Sequence, residues 1–193
     1  MTRAFAFLIA ALTVLVGVGP AQAQGFDLRD ILGGGPNFSG GGGGGASPIP
    51  RTTVSYPGNH APGTIVVSTG ERRLYLVLPN GQALRYGIGV GRDGFRWSGT
   101  HRITAKKEWP DWTPPSQMLA RRPDLPRHMK GGIDNPLGAR AMYLGSTLYR
   151  IHGSNEPETI GQAVSSGCFR MTNDDVTDLY GRVSVGTPVI VKN

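Results

Sequence analysis

The chain contains a single cysteine, Cys168, within the string Ser-Ser-Gly-Cys-Phe-Arg at 165–170, and a His152-Gly153 step precedes it. A thiol is only slightly ionised at neutral pH, so a nucleophilic cysteine needs a base or a cation nearby. The imidazole of His152 has the right ordinary pKa to take the thiol proton and return it to a departing amine. These residues predict nucleophilic catalysis by a cysteine thiolate.

The neighbouring residues offer the other groups that acyl transfer needs. The carbonyl of Gly153 is expected to fix the imidazole tautomer, and the N–H groups of Gly167 and Cys168 to hold a developing oxyanion. The candidate oxyanion or substrate-binding set is Ser165, Ser166, Gly167 and Arg170. Two of these have simpler alternatives: Ser165 could bond only its own loop, and Arg170 could support the loop instead of a substrate carboxylate.

The first residues predict export. Arg3 precedes an apolar run from Phe5 to Val18, and Ala21-Gln22-Ala23 provides a small-x-small cleavage site. We therefore assign residues 1–23 to a signal peptide that is cleaved after Ala23. The alternative is a membrane anchor, but spanning a bilayer takes about 20 apolar residues and this run is shorter. An unpaired cysteine in an exported chain is more consistent with a functional role for its thiol than with a packing role.

Composition divides the rest of the chain into two parts. Residues 24–53 hold two glycine runs and little that could be buried, which predicts a disordered linker. Residues 54–193 are long enough for one domain with one core. The predicted fold is mainly β, with strands at 64–67, 73–78, 83–90, 100–105, 141–144, 148–152 and 187–191. The hairpin of 141–144 and 148–152 should deliver His152 at a strand end.

Two other elements complete the predicted domain. Thr172 to Arg182 has a capping-box-like start and apolar residues at helical spacing, so it predicts a helix that ends at Gly181 or Gly186. Residues 109–140 form a long proline-rich stretch with exposed-looking aromatic and methionine residues. Long loops in compact domains are often functional, so we expect a lid over a substrate cleft, with a packing loop as the alternative.

The His152-Gly153 step followed by the 165–170 string resembles the signature of the L,D-transpeptidase catalytic domain (YkuD-type, ErfK/YbiS-like). The resemblance covers most of residues 63–193 and includes Gly99-Thr100, Gly131-Gly132 and the segment 135–138. It implies a β-sandwich-like fold with one short helix after the cysteine. Many members carry histidine where this chain has Ser166.

The resemblance also implies the reaction. Cys168 would attack the third residue of a peptidoglycan tetrapeptide stem in the periplasm, release D-alanine and transfer the acyl group from a thioester to an amine. The outcome would be a 3-3 cross-link or attachment of an envelope protein, with an outer-membrane protein or lipoprotein as acceptor. An L,D-carboxypeptidase and a non-catalytic peptidoglycan-binding module are the alternatives. Carbapenems are expected to acylate the thiol.

A third interpretation is that the chain is an unrelated thiol hydrolase with a papain-like catalytic arrangement. It requires an asparagine or aspartate partner for His152, and the sequence places no convincing one; a buried Asn135 or Asn155 side chain on His152 would support it. The chain order, with histidine before cysteine, speaks against this reading.

The chain is basic, with a formal net charge of +7. A cationic cluster lies in the predicted lid: Arg121, Arg122, Arg127 and Lys130. No nucleic-acid motif accompanies this charge, so we expect no nucleic-acid partner; anionic stem peptides or plain solubility explain it equally well. The scattered histidines His60, His101 and His128 match no metal-ligand spacing, and the glycine runs lack a phosphate-loop ending, so no metal or nucleotide cofactor is expected.

Overall fold

The computed structural model describes residues 47–193. The predicted signal peptide and nearly all of the predicted linker lie outside the described residues. Within residues 47–193, no helix has the length and apolar character needed to cross a bilayer.

The domain is built on one nine-stranded sheet in the order β1-β4-β3-β2-β11-β6-β7-β8-β10, with a small β5-β9 pair beside it. Most pairs are antiparallel, but β2–β11, β8–β10 and β5–β9 are parallel. The strands are β1 Thr52–Ser55, β2 Ile65–Ser68, β3 Arg73–Leu78, β4 Gln82–Gly87, β5 Val90–Gly91, β6 Gly99–Glu108, β7 Arg140–Leu144, β8 Arg150–His152, β9 Ala163–Ser165, β10 Phe169–Arg170 and β11 Pro188–Lys192. This architecture confirms the predicted mainly β fold.

The long strand β6 joins the two halves of the sheet. Its first residues pair with β11, and its remaining residues pair with β7 across an irregularity between Ile103 and Ala105. Residues from both halves contribute to one core, which includes Leu74, Met142 and Phe169. The sheet therefore curls around this core.

Strand β2 lies near the middle of the sheet and is buried on both faces. Ile65 and Val67 enter the main core, while Val66 packs on the other face against Tyr56 and Val77. A strand that is buried on both faces needs a continuous apolar run, and the β-branched sequence Ile-Val-Val supplies it.

The hairpin of β3 and β4 forms as predicted, because Asn80 and Gly81 both adopt positive φ angles, of 60° and 67°. The predicted strand 83–90, however, is divided into β4 and β5. Gly89 leaves the ladder of β3 and instead exchanges two main-chain hydrogen bonds of 2.9 Å with Arg170. This contact joins the chain to β10, so a single strand over 83–90 was wrong.

Helix α2, Asn173–Arg182, follows the cysteine as predicted. The hydroxyl of Thr172 accepts a hydrogen bond of 3.2 Å from the main-chain N–H of Asp175, which is the expected cap. Val176 and Leu179 are fully buried in the core. The helix continues through Gly181 to Arg182, so the earlier of the two predicted ends was wrong.

The stretch between β6 and β7 is a packed substructure, which we call the lid (residues 109–139). Trp112 and Met129 exchange two main-chain hydrogen bonds of 2.8 Å that close the loop at its base. A small apolar cluster fills it, made of Trp112, Leu125 and Leu137 with Met118, Leu119 and Met129. The lid also contains a helix that was not predicted, α1 at Ser116–Arg121, which has no buried residue.

Candidate active site

The candidate site lies on two short parallel strands. In the β8–β10 ladder, Ile151 pairs with Phe169 and His152 pairs with Arg170. Side chains alternate along a strand, so Ile151 and Phe169 point into the core while their neighbours point to the opposite side. The neighbours all line one cavity: Arg150, His152, Cys168 and Arg170. The parallel pairing thus places the proposed nucleophile and base on the same side of adjacent strands.

The cavity has a volume of about 490 Å³, and the lid forms one of its walls. Lid residues at the cavity are Trp112, Pro115, Gln117, Met118, Arg121, Pro136 and Leu137. The opposite wall carries Phe95, Leu148, Tyr149, Ser165 and Ser166. An apolar cavity with a few convergent polar groups is the usual form of a small-ligand site.

His152 is buried and oriented by its own neighbour. Its Nδ1 lies 2.6 Å from the carbonyl oxygen of Gly153. Because a carbonyl only accepts, Nδ1 carries the proton and Nε2 keeps a lone pair. Burial lowers the pKa of His152 to about 3, helped by the cations of Arg170 and Arg150, while the Gly153 carbonyl opposes the shift. The imidazole is therefore neutral at physiological pH and available as a base.

Gly153 has a steric reason to be glycine. A methyl group added there would come within 2.4 Å of the side-chain oxygen of Asn173. That oxygen is fixed by a hydrogen bond of 2.8 Å from the main-chain N–H of Ala139. Helix α2 therefore packs directly against the step that carries the base, and a larger residue would push the two apart.

The Cys168 thiol is partly exposed and forms no disulfide. Its sulfur lies 3.8 Å from the carbonyl oxygen of Leu148. Burial raises the pKa of the thiol, and the charge and N–H groups of Arg150 oppose this shift, with a smaller contribution from Arg170. Both pKa shifts favour the neutral forms, a thiol and an imidazole, over a thiolate–imidazolium ion pair.

The loop before the nucleophile is held by side chains on both sides. The hydroxyl of Ser165 donates to the carbonyl of Cys168 at 2.6 Å and accepts from the N–H of Gly167 at 3.2 Å. The indole N–H of Trp97 donates to the carbonyl of Gly167 at 2.8 Å. The Gly167 N–H thus already has an acceptor, whereas the Cys168 N–H has none among residues 47–193.

Glycine at 167 permits the close approach that its position before the cysteine predicts. Its φ is +107°, and a methyl group there would lie 2.5 Å from the ring of Tyr149. That ring stacks on Trp97 with centroids 4.4 Å apart, and Trp97 also contacts the ring of Phe169. The stacked rings of Trp97 and Tyr149 therefore pack against the loop that precedes Cys168.

Arg170 forms an ion pair that the sequence analysis did not identify. Its guanidinium lies 3.1 Å from the carboxylate of Glu156, and the two side chains are 2% and 3% exposed. The hydroxyl of Thr159 is a further neighbour at 3.4 Å. This geometry supports the loop-supporting alternative for Arg170. No local sequence pattern marks Glu156 as its partner.

Arg150 and Trp97 were also missed. Arg150 precedes His152 by two positions on a strand, and this spacing alone places both on one face. The position of Trp97, in contrast, depends on the path of the chain between β5 and β6. Ser166 lines the cavity and is half-buried, as a substrate-facing residue should be.

The amide partner required by the papain-like reading is absent from His152, since Nδ1 faces a carbonyl. Asn135 instead donates to the carbonyl of Lys130 and accepts from the N–H of Leu137. Asn155 donates to the carbonyl of Asp134. Both side chains brace the lid and its surroundings.

Comparison with known families agrees with the geometry. Residues 62–191 match the model of YkuD, the L,D-transpeptidase catalytic domain. The chain belongs to this family. The described fold is thus that of a YkuD domain. Its cavity is lined by His152 and by residues of the 165–170 string, which are the motifs that carry the resemblance.

Individual relatives support the same assignment. The probable L,D-transpeptidase ErfK/SrfK of Escherichia coli is 40% identical over 134 residues, which is 65% of this chain and 42% of that protein. This chain therefore spans less than half of that relative's length. A Mycobacterium smegmatis L,D-transpeptidase structure has a TM-score of 0.55 at 20% identity, covering 67% of this chain and 58% of that one, and so shares the fold.

One structural neighbour bears a different name. A Brucella melitensis protein described as a probable carnitine operon oxidoreductase is 46% identical, has a TM-score of 0.51, and covers 75% of this chain and 94% of its own. The YkuD match spans two thirds of this chain, and it is the basis of the family assignment.

Proposed function

We propose that this YkuD domain is a periplasmic cysteine L,D-transpeptidase that acts on peptidoglycan tetrapeptide stems. The observation that carries the proposal is the shared cavity of Cys168 and His152, in which the base is neutral and oriented by Gly153. Export by the predicted signal peptide would bring the domain to this substrate.

The proposed acylation step uses groups that line the cavity. As the Cys168 sulfur attacks the carbonyl carbon of the third stem residue, Nε2 of His152 takes the thiol proton. The carbonyl oxygen becomes an oxyanion, and the free N–H of Cys168 is placed to donate to it. The bond to D-alanine then breaks, the imidazolium returns the proton to the departing amine, and a thioester remains.

Deacylation uses the same groups in reverse. An acceptor amine gives a proton to His152 as it attacks the thioester carbonyl, and the thiol is regenerated when the C–S bond breaks. A second stem would yield a 3-3 cross-link, an envelope protein would become attached to the wall, and water would give carboxypeptidase activity. Arg150 supports both steps, because its charge favours the anionic sulfur.

The test is to incubate the mature protein with a purified disaccharide tetrapeptide, and separately with a carbapenem, and to follow both by mass spectrometry. Loss of D-alanine together with an adduct on Cys168 supports the proposal. Dimeric products then indicate cross-linking, and tripeptide alone indicates hydrolysis. An inert protein with an unmodified thiol would favour the non-catalytic binding module.

The neutral resting pair predicts a simple pH dependence for thiol alkylation. Because the pKa of Cys168 is raised, the thiolate fraction should grow about tenfold for each pH unit from about pH 6 to pH 8. His152 stays neutral above about pH 3, so it adds no second inflection in that range. The rate of iodoacetamide modification, followed by intact mass, checks this; the urea-unfolded protein should react at lower pH. A rate that is flat from about pH 6 would show an ion pair instead.

Trp97 is expected to position the oxyanion donor. Its indole holds the carbonyl of Gly167, and the N–H of Cys168 belongs to the same planar peptide and points the opposite way. Trp97→Phe keeps a ring but removes the donor, so acylation by a carbapenem should slow about tenfold to a hundredfold. Iodoacetamide alkylation, which forms no oxyanion, should change less than about twofold.

The matched control is Trp109→Phe, since Trp109 is exposed and does not line the cavity. It should leave both rates unchanged. An equal loss of alkylation and acylation in Trp97→Phe would mean that Trp97 only maintains the loop.

A further inference from the structure

Two guanidinium groups meet at one aromatic ring on the rim of the cavity. The guanidinium carbon of Arg92 lies 4.6 Å from the centroid of the Phe95 ring, and that of Arg121 lies 5.8 Å from it. Arg92 follows β5, whereas Arg121 ends helix α1 of the lid. The two cations therefore come from different elements and contact the same ring, and this ring and Arg121 both line the cavity.

Neither cation has a carboxylate partner among residues 47–193, although their neighbours do. Arg96 pairs with Asp93 at 3.0 Å, and Arg122 pairs with Asp124 at 2.8 Å. The residues that line the cavity include arginines but no aspartate or glutamate. Two converging positive charges without an anion raise the local potential, so this rim is suited to bind one.

The contacts with the Phe95 ring also hold both guanidinium groups in position to bind a carboxylate. A guanidinium that lies over a ring uses its face, while its N–H edge stays free to donate to a carboxylate. Holding the side chain on the ring beforehand reduces the conformational entropy lost on binding. Such charge-assisted hydrogen bonds are shorter and stronger than neutral ones.

The rim lies next to the nucleophile loop. A methyl group added at Gly167, the residue before Cys168, would lie 3.3 Å from the carbonyl oxygen of Phe95. The same oxygen would lie 2.5 Å from a methyl group added at Gly91. A substrate residue whose carbonyl carbon reaches Cys168 therefore has the Phe95 rim within reach of its side chain.

We infer that Arg92 and Arg121, which both contact the Phe95 ring, form a subsite that binds a carboxylate at the end of the side chain of the acyl donor's third residue. The inference rests on the proposed function, because it assumes that a stem peptide occupies the cavity. The preferred donor carries a free carboxylate at that end, and the corresponding neutral amide is disfavoured.

The first test compares two disaccharide tetrapeptides that differ only in this group, a free carboxylate or its amide. We expect kcat/KM for D-alanine release to be about tenfold higher for the carboxylate form, a factor typical of a charged hydrogen bond. Arg92→Gln and Arg121→Gln should each reduce this preference. The matched controls Arg96→Gln and Arg122→Gln should retain the preference.

The second test does not depend on turnover. Calorimetric titration of the Cys168→Ala protein with the same two peptides should give about tenfold tighter binding of the carboxylate form. Equal binding or equal turnover of the two peptides overturns the subsite but leaves the proposed function intact. Preference retained in Arg92→Gln and Arg121→Gln overturns the assignment to these arginines. Selective binding without any D-alanine release by the native protein overturns the proposed function alone.

Discussion

The variant Cys168→Ala should release D-alanine at least about 10³-fold more slowly than the native protein, since loss of a nucleophile removes the covalent route entirely. Cys168 is a partly exposed residue that lines the cavity and belongs to no core cluster within residues 47–193, so removal of its thiol opens no core cavity. The free energy of unfolding should change by less than about 1 kcal/mol. Chromatography of the muropeptides and a urea titration measure the two quantities.

The carbapenem adduct provides the internal control for this variant. Intact mass should show one adduct on the native protein and none on Cys168→Ala, while the circular dichroism spectra coincide. Turnover retained by a folded Cys168→Ala protein would contradict the thioester mechanism. An unfolded Cys168→Ala protein would instead show that this side chain is needed for folding, which contradicts its placement at the cavity.

The variant Glu156→Gln should destabilise the domain by about 3–5 kcal/mol, because it removes the carboxylate that forms a buried ion pair with Arg170. Removing one partner of a buried ion pair costs more than the pair itself contributes, since the remaining charge stays desolvated. Arg170 follows Cys168 by two residues, so activity should fall as well. A urea titration near pH 7 measures the change in the free energy of unfolding.

Glu158→Gln is the matched control for this prediction. Glu158 lies in the same short 3-10 helix, Pro157–Thr159, and is only half-buried. Its charge also acts on Arg170, but less strongly than that of Glu156. Its replacement should change the free energy of unfolding by less than about 0.5 kcal/mol. A similarly small effect of Glu156→Gln would show that the buried pair is not needed for stability.

These two residues illustrate different contributions to one site. Cys168 supplies the reacting atom in the proposed mechanism, whereas Glu156 acts through Arg170, with which it forms a buried ion pair. Arg170 in turn adds to the positive potential that lowers the pKa of His152. A change in Glu156 is therefore expected to alter the stability of the domain and to lower the pKa of His152 further, which leaves the imidazole neutral.

Local patterns in the sequence were sufficient for much of the fold. The Asn80-Gly81 turn needs two positive φ angles, and the Thr172 cap needs one side-chain hydrogen bond, so each depends on a few adjacent residues. The β-branched run of β2 and the hairpin before His152 are signals of the same kind. The family resemblance also followed from short motifs, as did the proposal of Cys168 as nucleophile and His152 as base.

Contacts between distant segments decided the rest. Gly89 leaves its predicted strand because Arg170, far along the chain, offers it two hydrogen bonds. The ion pair of Glu156 and the hydrogen bond of Trp97 likewise join segments that no local pattern connects. Residue types alone determined which groups could react. Only the tertiary structure set their protonation and orientation, because both depend on burial and on neighbours brought together by folding.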